Sequence, residues 1–165
     1  MTRVALSIGA NLGDRLGALQ YAVAEVATLG TLLAVSDVYE TDPVGGPEQP
    51  EYYNAVIVLE TSQPPGEVLA AAQRAEQGRG RTREVRWGAR TLDVDVLAYG
   101  RRVSADPVLT LPHPRALQRG FVMIPWAQID PDFQLPDGRS VGEVATGLAS
   151  DGVRRIGPLL RTVDP

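Results

Sequence analysis

The 165-residue chain has the length of one domain, and its composition, 44% hydrophobic and 22% charged, is typical of a globular protein. A formal net charge of −4 argues against general nucleic-acid binding, which normally needs a basic surface. The absence of cysteine excludes disulfides and Cys-ligated zinc, and the absence of a signal peptide or long apolar run predicts a cytoplasmic location.

The first part of the chain is predicted to alternate strands with one helix. Alternating apolar residues predict a short buried strand over residues 3–8. Apolar residues spaced three and four apart then predict a helix that runs to about Leu29. A second strand is predicted over residues 32–39, followed by a Pro- and Gly-rich loop over 41–47. β-branched residues predict a third strand over 52–60.

The second part is predicted to begin with a helix over residues 64–77, because proline is tolerated in the first turn of a helix. A polar loop rich in Gly and Arg follows over 78–89, and a strand over 91–99. Beyond it the sequence predicts short turns, a helical patch near 121–129 and a last short helix, which begins with a capping box at 140–143.

The order strand, helix, strand, strand, helix, strand predicts an α+β fold with a ferredoxin-like βαββαβ core. We expect an antiparallel sheet with the helices packed on one of its faces, followed by a mostly irregular or helical C-terminal extension. No repeat or linker divides the sequence, so residues 1–165 are predicted to form a single domain.

The strongest local signal for chemistry is the pair Asp93 and Asp95. Residues two apart in a strand point the same way, so both carboxylates project from one face while Leu92, Val94 and Val96 pack on the other. Adjacent carboxylates repel each other, and burying them is costly unless a cation lies between them. Oxygen ligands of this kind favour Mg²⁺. The alternative is a strand with one solvated face.

Arginine is the only side chain in this sequence that is always positively charged near pH 7 and can therefore bind phosphate as a cation. All sixteen of its basic residues are Arg, which excludes a Walker P-loop because that motif needs Lys. Five arginines precede the aspartates within twelve residues: Arg79, Arg81, Arg83, Arg86 and Arg90. Guanidinium groups beside a Mg²⁺ site suit a polyphosphate donor such as ATP. The alternative is a solvated charged loop.

A third group of residues precedes this region. Tyr52 and Asn54 are predicted to share one strand face, and Thr41, Pro43 and Val44 come before them in the rigid loop. A flat heteroaromatic ring can stack on tyrosine and bond to an amide, which both donates and accepts hydrogen bonds. The alternative is ordinary packing.

Four more polar residues are candidates for nucleotide contacts. Gln73 and Glu76 lie three apart on one predicted helix face, although most such pairs are simply solvated. His113, the only histidine, and Arg119 follow the aspartates and are candidates for further phosphate contacts. A histidine between two prolines is equally typical of a structural turn.

A longer pattern surrounds the aspartates. Residues 86–97 read RWGARTLDVDVL and resemble the signature of the 6-hydroxymethyl-7,8-dihydropterin pyrophosphokinase (HPPK) family, which transfers pyrophosphate from ATP in folate biosynthesis. Further segments that resemble the family lie in the same order along the chain, at residues 8–14, 38–41, 49–54, 111–114, 119–121, 124–126 and 136–138. Asp42 stands where the family commonly has proline.

The resemblance implies a set of site residues. It implies that Asp93 and Asp95 bind two Mg²⁺ ions, with ATP as co-substrate. The pterin pocket it implies consists of Thr41, Pro43, Val44, Tyr52, Asn54, Trp87, Asp93 and Phe121. The ATP-binding residues it implies are Gln73, Glu76, Arg81, Arg83, Arg86, Arg90, Thr110, His113 and Arg119. Arg81, Arg90 and Asp95 are predicted to be catalytic, the arginines by stabilising charge and Asp95 by accepting a proton.

The resemblance also implies a monomer whose partners are the small molecules ATP and hydroxymethyl-dihydropterin, without nucleic acid or membrane. Two other classes remain open. A Mg²⁺-dependent nuclease also uses carboxylates with Arg, but it needs a basic groove that an acidic chain does not obviously supply. A non-catalytic regulatory module of ferredoxin-like fold needs neither aligned carboxylates nor clustered arginines.

Overall fold

The computed structural model describes residues 1–42, 51–79 and 92–160. Its elements are β1 (Thr2–Ala10), α1 (Arg15–Ala27), β2 (Gly30–Val35), β3 (Asp37–Thr41), β4 (Tyr52–Thr61), α2 (Pro65–Gly78), β5 (Asp93–Tyr99), α3 (Gly120–Ile129), α4 (Val141–Thr146) and β6 (Val153–Pro158), with one 3₁₀ turn at Ala116–Gln118. The predicted class, an antiparallel sheet with helices packed on it, is confirmed. Within these described residues, no helix is both long and apolar enough to span a membrane.

The order of the strands decides which residues meet across the sheet. It is β5-β1-β4-β3-β6, with β2 paired to the second part of β4, and every pairing is antiparallel. β1 therefore lies between β4 and β5. Its register places Gly9 between Asn54 and Asp93, and Ser7 opposite Asp95. Polar residues from three strands are thus brought into one area.

Helices cover both faces of the sheet. On one face, Leu6 and Ile8 of β1 pack in a core that α1 and α2 complete. On the other face, Ala5 and Val56 pack in a second core around Trp126 of α3. The prediction that the helices of the βαββαβ core lie on one face therefore holds for α1 and α2, whereas α3 and α4 of the C-terminal extension cover the other face.

Two strands replace the single strand predicted over residues 32–39. Ser36 interrupts it: the Ser36 hydroxyl accepts a hydrogen bond from the Val56 N–H at 2.9 Å and donates one to the Asp37 carbonyl at 2.8 Å. These side-chain bonds compete with regular strand pairing. β2 and β3 consequently pair with different parts of β4.

The helix starts follow from capping side chains. Asp14 accepts a hydrogen bond from the Gly17 N–H at 3.0 Å, so α1 begins at Arg15. Ser140 accepts one from the Glu143 N–H at 3.1 Å, which confirms the predicted helix start at the capping box.

β6 was not predicted from the sequence, which indicated a mostly irregular or helical tail. The strand is largely exposed and carries Arg154 and Arg155, so it has no alternating apolar pattern to reveal it. It is held by pairing with β3, a contact between residues more than a hundred positions apart.

Candidate active site

A cavity of about 680 Å³ opens where β1, β4 and β5 carry polar residues, on the sheet face that α3 covers. Strand residues form one wall and the segment that leads into α3 forms another. The described residues that line it are Ser7, Ile8, Gly9, Thr41, Asp42, Tyr52, Asn54, Asp93, Asp95, Arg115, Gln118, Arg119, Gly120, Phe121 and Val122.

The two aspartates of β5 line this cavity together. Asp93 is half-buried and Asp95 is exposed, whereas Val94 and Val96 are buried in the core on the other face of the sheet. The Val94 N–H donates a hydrogen bond to Glu76 Oε2 at 3.1 Å, so a side chain of α2 braces the strand between the aspartates. Because alternate residues of a strand share a face, both carboxylates face the cavity.

This donor set suits Mg²⁺. The ion commonly takes one or two carboxylates and completes its shell with water and substrate phosphates. In residues 1–42, 51–79 and 92–160, no three His, Asp or Glu side chains are grouped to hold a metal ion by themselves. Two carboxylates, those of Asp93 and Asp95, are sufficient for a metal ion whose other ligands are water and the phosphates of a nucleotide.

Asn54 and Thr41 form a buried polar pair beside the aspartates. Asn54 Nδ2 donates a hydrogen bond to Thr41 Oγ1 at 2.6 Å, and both side chains are at least nine-tenths buried. Gly9 lies between Asn54 and Asp93, and a Cβ there would approach Asn54 Oδ1 to 2.6 Å. The glycine therefore allows the amide to lie flat against β1, at the floor of the cavity.

An aromatic and a basic residue stand at the start of α3. The guanidinium carbon of Arg119 lies 5.5 Å from the centre of the Phe121 ring, which is within the range of a cation–π contact. Both residues line the cavity. Arg119 also precedes the first turn of α3, whose N–H groups favour negative charge. This part of the cavity lining is therefore aromatic and positive, whereas the residues of β5 contribute carboxylates.

His113 lies just outside the described cavity lining. The backbone N–H of His113 donates to the Leu97 carbonyl at 2.8 Å, and the imidazole Nδ1 accepts from the backbone N–H of Arg115 at 3.3 Å. Burial lowers the pKa of the imidazole below its ordinary value; the carboxylate of Asp95 opposes this, while Arg119 and Arg115 add to it. The imidazole is therefore neutral near pH 7, with its proton on Nε2.

A pH dependence of stability follows from this pKa. Because the folded pKa is lowered, the unfolded chain takes up its proton first as the pH falls below about 6.5, and stability is lost through that window. We expect the unfolding temperature of the wild type to fall more steeply than that of His113→Gln between about pH 7.5 and pH 5.5. Differential scanning calorimetry measures both, and equal slopes would contradict the neutral imidazole.

The remaining predicted site residues lie elsewhere. Gln73 is exposed on α2, Glu76 contacts the β5 backbone, and the Thr110 hydroxyl donates to the Asp106 carbonyl at 2.9 Å; none of the three belongs to the described lining of the cavity. Several other predicted residues lie outside the described residues: Pro43, Val44, Arg81, Arg83, Arg86, Trp87 and Arg90.

Four residues that line the cavity were not predicted from the sequence to be site residues: Ser7, Gly9, Arg115 and Gln118. Ser7 and Gly9 interrupt the apolar pattern of β1 at a spacing of two, which is a signal for a polar strand face. Arg115 and Gln118 carry no comparable signal, since their place depends on how the chain folds back from β5 to α3.

Comparisons with known proteins agree with this geometry. Residues 5–131 match the family model described as 7,8-dihydro-6-hydroxymethylpterin-pyrophosphokinase (HPPK). Three relatives are each named 2-amino-4-hydroxy-6-hydroxymethyldihydropteridine pyrophosphokinase. The one from Pseudomonas aeruginosa is 38% identical over 93% of this chain and 96% of its own length. Those from Mycobacterium bovis (46% identical; 82% of this chain, 76% of the relative) and Bacillus subtilis (43%; 75% of each) are also similar.

Solved structures are similar in fold. A Plasmodium falciparum HPPK-DHPS triple mutant with SDX-DHP superposes with a TM-score of 0.66 at 11% identity, over 88% of this chain. The chain spans 44% of the length of that protein. At this identity the likeness concerns the fold alone, whereas the family assignment rests on the sequence matches. Together with the paired aspartates, these matches confirm the predicted resemblance, and the chain belongs to the HPPK family of pyrophosphokinases of folate biosynthesis.

Proposed function

We propose that this chain transfers the pyrophosphoryl group of ATP to the hydroxymethyl oxygen of 6-hydroxymethyl-7,8-dihydropterin and releases AMP. The observation that carries the proposal is that the two carboxylates of β5, a buried amide and two aromatic residues line one cavity. The relatives that are similar over most of their length bear the corresponding name. In this reaction the hydroxymethyl oxygen forms a bond to the β-phosphorus, and the bond from that phosphorus to the oxygen of the α-phosphate breaks.

The pterin is proposed to lie beside Asn54 and Thr41. An amide donates and accepts hydrogen bonds, which matches the alternating donors and acceptors on the edge of a pterin ring. Tyr52 and Phe121 line the same cavity and offer aromatic surfaces on which a flat ring can stack. Asp93 adds a carboxylate that accepts hydrogen bonds at the same floor. Pro43, Val44 and Trp87 are proposed to complete the pocket.

Asp93 and Asp95 are proposed to hold two Mg²⁺ ions together with the phosphates of ATP. When bound, the metal neutralises phosphate oxygens and favours the charge that develops during transfer. Asp95 is also proposed to accept the proton of the attacking hydroxyl group, because its carboxylate is exposed at the cavity.

Arginine side chains are proposed to bind the phosphates from the other side. Arg119 lines the same cavity as the aspartates, and its guanidinium can form paired hydrogen bonds with phosphate oxygens. Arg81 and Arg90 are proposed to stabilise the transferred group. The proposed nucleotide contacts also include Gln73, Glu76, Arg83, Arg86, Thr110 and His113. We further propose that the 165 residues act as one domain, as a monomer and in the cytoplasm.

The products of the reaction test this function directly. The purified chain is incubated with ATP, MgCl₂ and hydroxymethyl-dihydropterin, and nucleotides are separated by anion-exchange chromatography. We expect AMP to appear in equal amount to the pyrophosphorylated pterin, and to be absent when the pterin is omitted or the metal is chelated. ADP as the product would indicate an ordinary kinase, and no turnover would favour a binding module. Cleavage of added DNA or RNA would indicate a nuclease.

A further inference from the structure

The C-terminal strand β6 contacts the end of β3, near the cavity. Arg154 of β6 lies opposite Glu40 of β3, and the Asp42 N–H donates to the Gly152 carbonyl at 3.1 Å. The backbone at Gly152 has a φ of 74°, and a Cβ there would lie 2.8 Å from Asp42 Oδ2. This close approach requires glycine. The turn before β6 is therefore shaped to fit against Asp42, which lines the cavity.

Arg154 joins three carboxylates from two parts of the chain. Its Nη2 lies 2.8 Å from Glu51 Oε2, 3.1 Å from Asp42 Oδ1 and 3.3 Å from Glu40 Oε1. A single exposed ion pair contributes little, but a guanidinium shared by three carboxylates forms a network.

The network fixes the end of β3 relative to the start of β4. Glu40 and Asp42 flank Thr41, the last residue of β3, and Glu51 directly precedes Tyr52 of β4. Thr41 and Tyr52 are register partners, and both line the cavity. Without the guanidinium, the three carboxylates would repel each other at the point where this wall of the cavity closes.

Arg154 lies on the face of the sheet that points away from the cavity. Paired residues of an antiparallel sheet share a face, so Arg154, Glu40 and Tyr53 lie on one face, while Thr41 and Tyr52 lie on the face of the cavity. Arg154 is not among the described residues that line the cavity. It is therefore placed to support a substrate wall without touching the substrate.

We propose that Arg154 is a positioning residue for the pterin side of the site, which holds Thr41 and Tyr52 in place through Glu40, Asp42 and Glu51. This inference rests on the proposed function. It assigns a role to the C-terminal strand in binding the pterin alcohol, and it implies that ATP binding and the chemical step depend little on Arg154.

Steady-state kinetics of Arg154→Met test the inference. We expect the KM for hydroxymethyl-dihydropterin to rise about fivefold to tenfold, with kcat and the KM for ATP within about twofold of wild type, because the altered contacts support the pterin wall. Arg154→Lys keeps a positive charge among the carboxylates and is expected to restore the KM to within about threefold. Arg154→Gln serves the same purpose as the Met variant if the latter does not fold.

Arg155→Met is the matched control. Arg155 is the next residue of β6 and has its own ion pair with Asp37, at the other end of β3 from the cavity. We expect this variant to keep the wild-type KM for the pterin. An unchanged KM in Arg154→Met, an equal rise in Arg155→Met, or no recovery in Arg154→Lys would overturn the inference. Absence of AMP formation by the wild type would instead refute the proposed function.

Discussion

Replacing Asp95 with Asn is expected to reduce kcat on the order of a thousandfold, which corresponds to about 4 kcal/mol of transition-state stabilisation. A similar loss is expected for Asp93→Asn. The amide keeps the shape of the side chain but carries no charge. It therefore cannot balance the positive charge of a metal ion, and it cannot accept a proton as a base. AMP formation under saturating ATP and pterin measures the effect.

The same variants are expected to keep their fold. Asp95 lies two residues from Asp93 on the same face of β5, so removing the negative charge of Asp95 relieves repulsion in the metal-free protein. We expect the unfolding temperature without Mg²⁺ to be unchanged or slightly raised. Asp132→Asn is the matched control, because Asp132 is exposed and does not belong to the described lining of the cavity. Near-wild-type kcat in Asp95→Asn, with the control also unaffected, would contradict the metal role.

Gly9→Ala is expected to lower kcat/KM for the pterin about thirtyfold, or about 2 kcal/mol, mainly through KM. The new methyl group would lie 2.6 Å from Asn54 Oδ1, which is closer than side chains tolerate. The Asn54 amide must shift to relieve this contact, and the shift disturbs the hydrogen bond that its Nδ2 donates to Thr41 at 2.6 Å. The amide that we propose to bind the pterin edge would therefore be displaced. Kinetics at saturating ATP with varied pterin measure this loss.

Gly66→Ala is the control for Gly9→Ala. Gly66 lies in the first turn of α2, and a Cβ there would have no heavy atom within 4 Å. Alanine is favoured over glycine in helices by about 0.5–1 kcal/mol, so this variant is expected to be slightly more stable and fully active. If Gly9→Ala bound the pterin as well as Gly66→Ala does, the floor of the proposed pocket would be assigned wrongly.

Local sequence patterns predicted the elements that position the aspartates. Alternation of apolar residues predicted β1, and the spacing of Asp93 and Asp95 predicted that both would face the same way, as the shared cavity shows. The capping box at Ser140 predicted the start of α4. These features depend on neighbours within a few residues, which is why one sequence is sufficient to find them.

Contacts between distant parts of the chain were not predictable in this way. Gly9 became a floor residue because β1 lies between β4 and β5, and that order is not encoded in any local pattern. The second layer of helices depends on a core that joins Ala5 of β1 and Val56 of β4 with Trp126 of α3, residues that are far apart in the sequence. β6 was not predicted, because a segment with exposed arginines and no apolar alternation is typical of a solvated tail. In the structure, Arg154 of this strand contacts three carboxylates.

The resemblance to a family contributed a different kind of information. It named Thr41, Asn54, Phe121 and Arg119 as site residues, and these line the cavity with the aspartates. It could not assign a role to Asp42, because this chain departs from the family pattern at that position. Asp42 is an ion-pair partner of Arg154, so the departure is linked to the C-terminal strand.

The most direct test of the proposed site is a crystal of the protein grown with Mn²⁺, a non-hydrolysable ATP analogue and the pterin. Anomalous scattering locates Mn²⁺, which binds the same oxygen ligands as Mg²⁺. We expect anomalous peaks about 2.0–2.2 Å from carboxylate oxygens of both Asp93 and Asp95, in contact with the nucleotide phosphates. Metal bound to the nucleotide elsewhere on the chain, with neither aspartate as a ligand, would contradict the account.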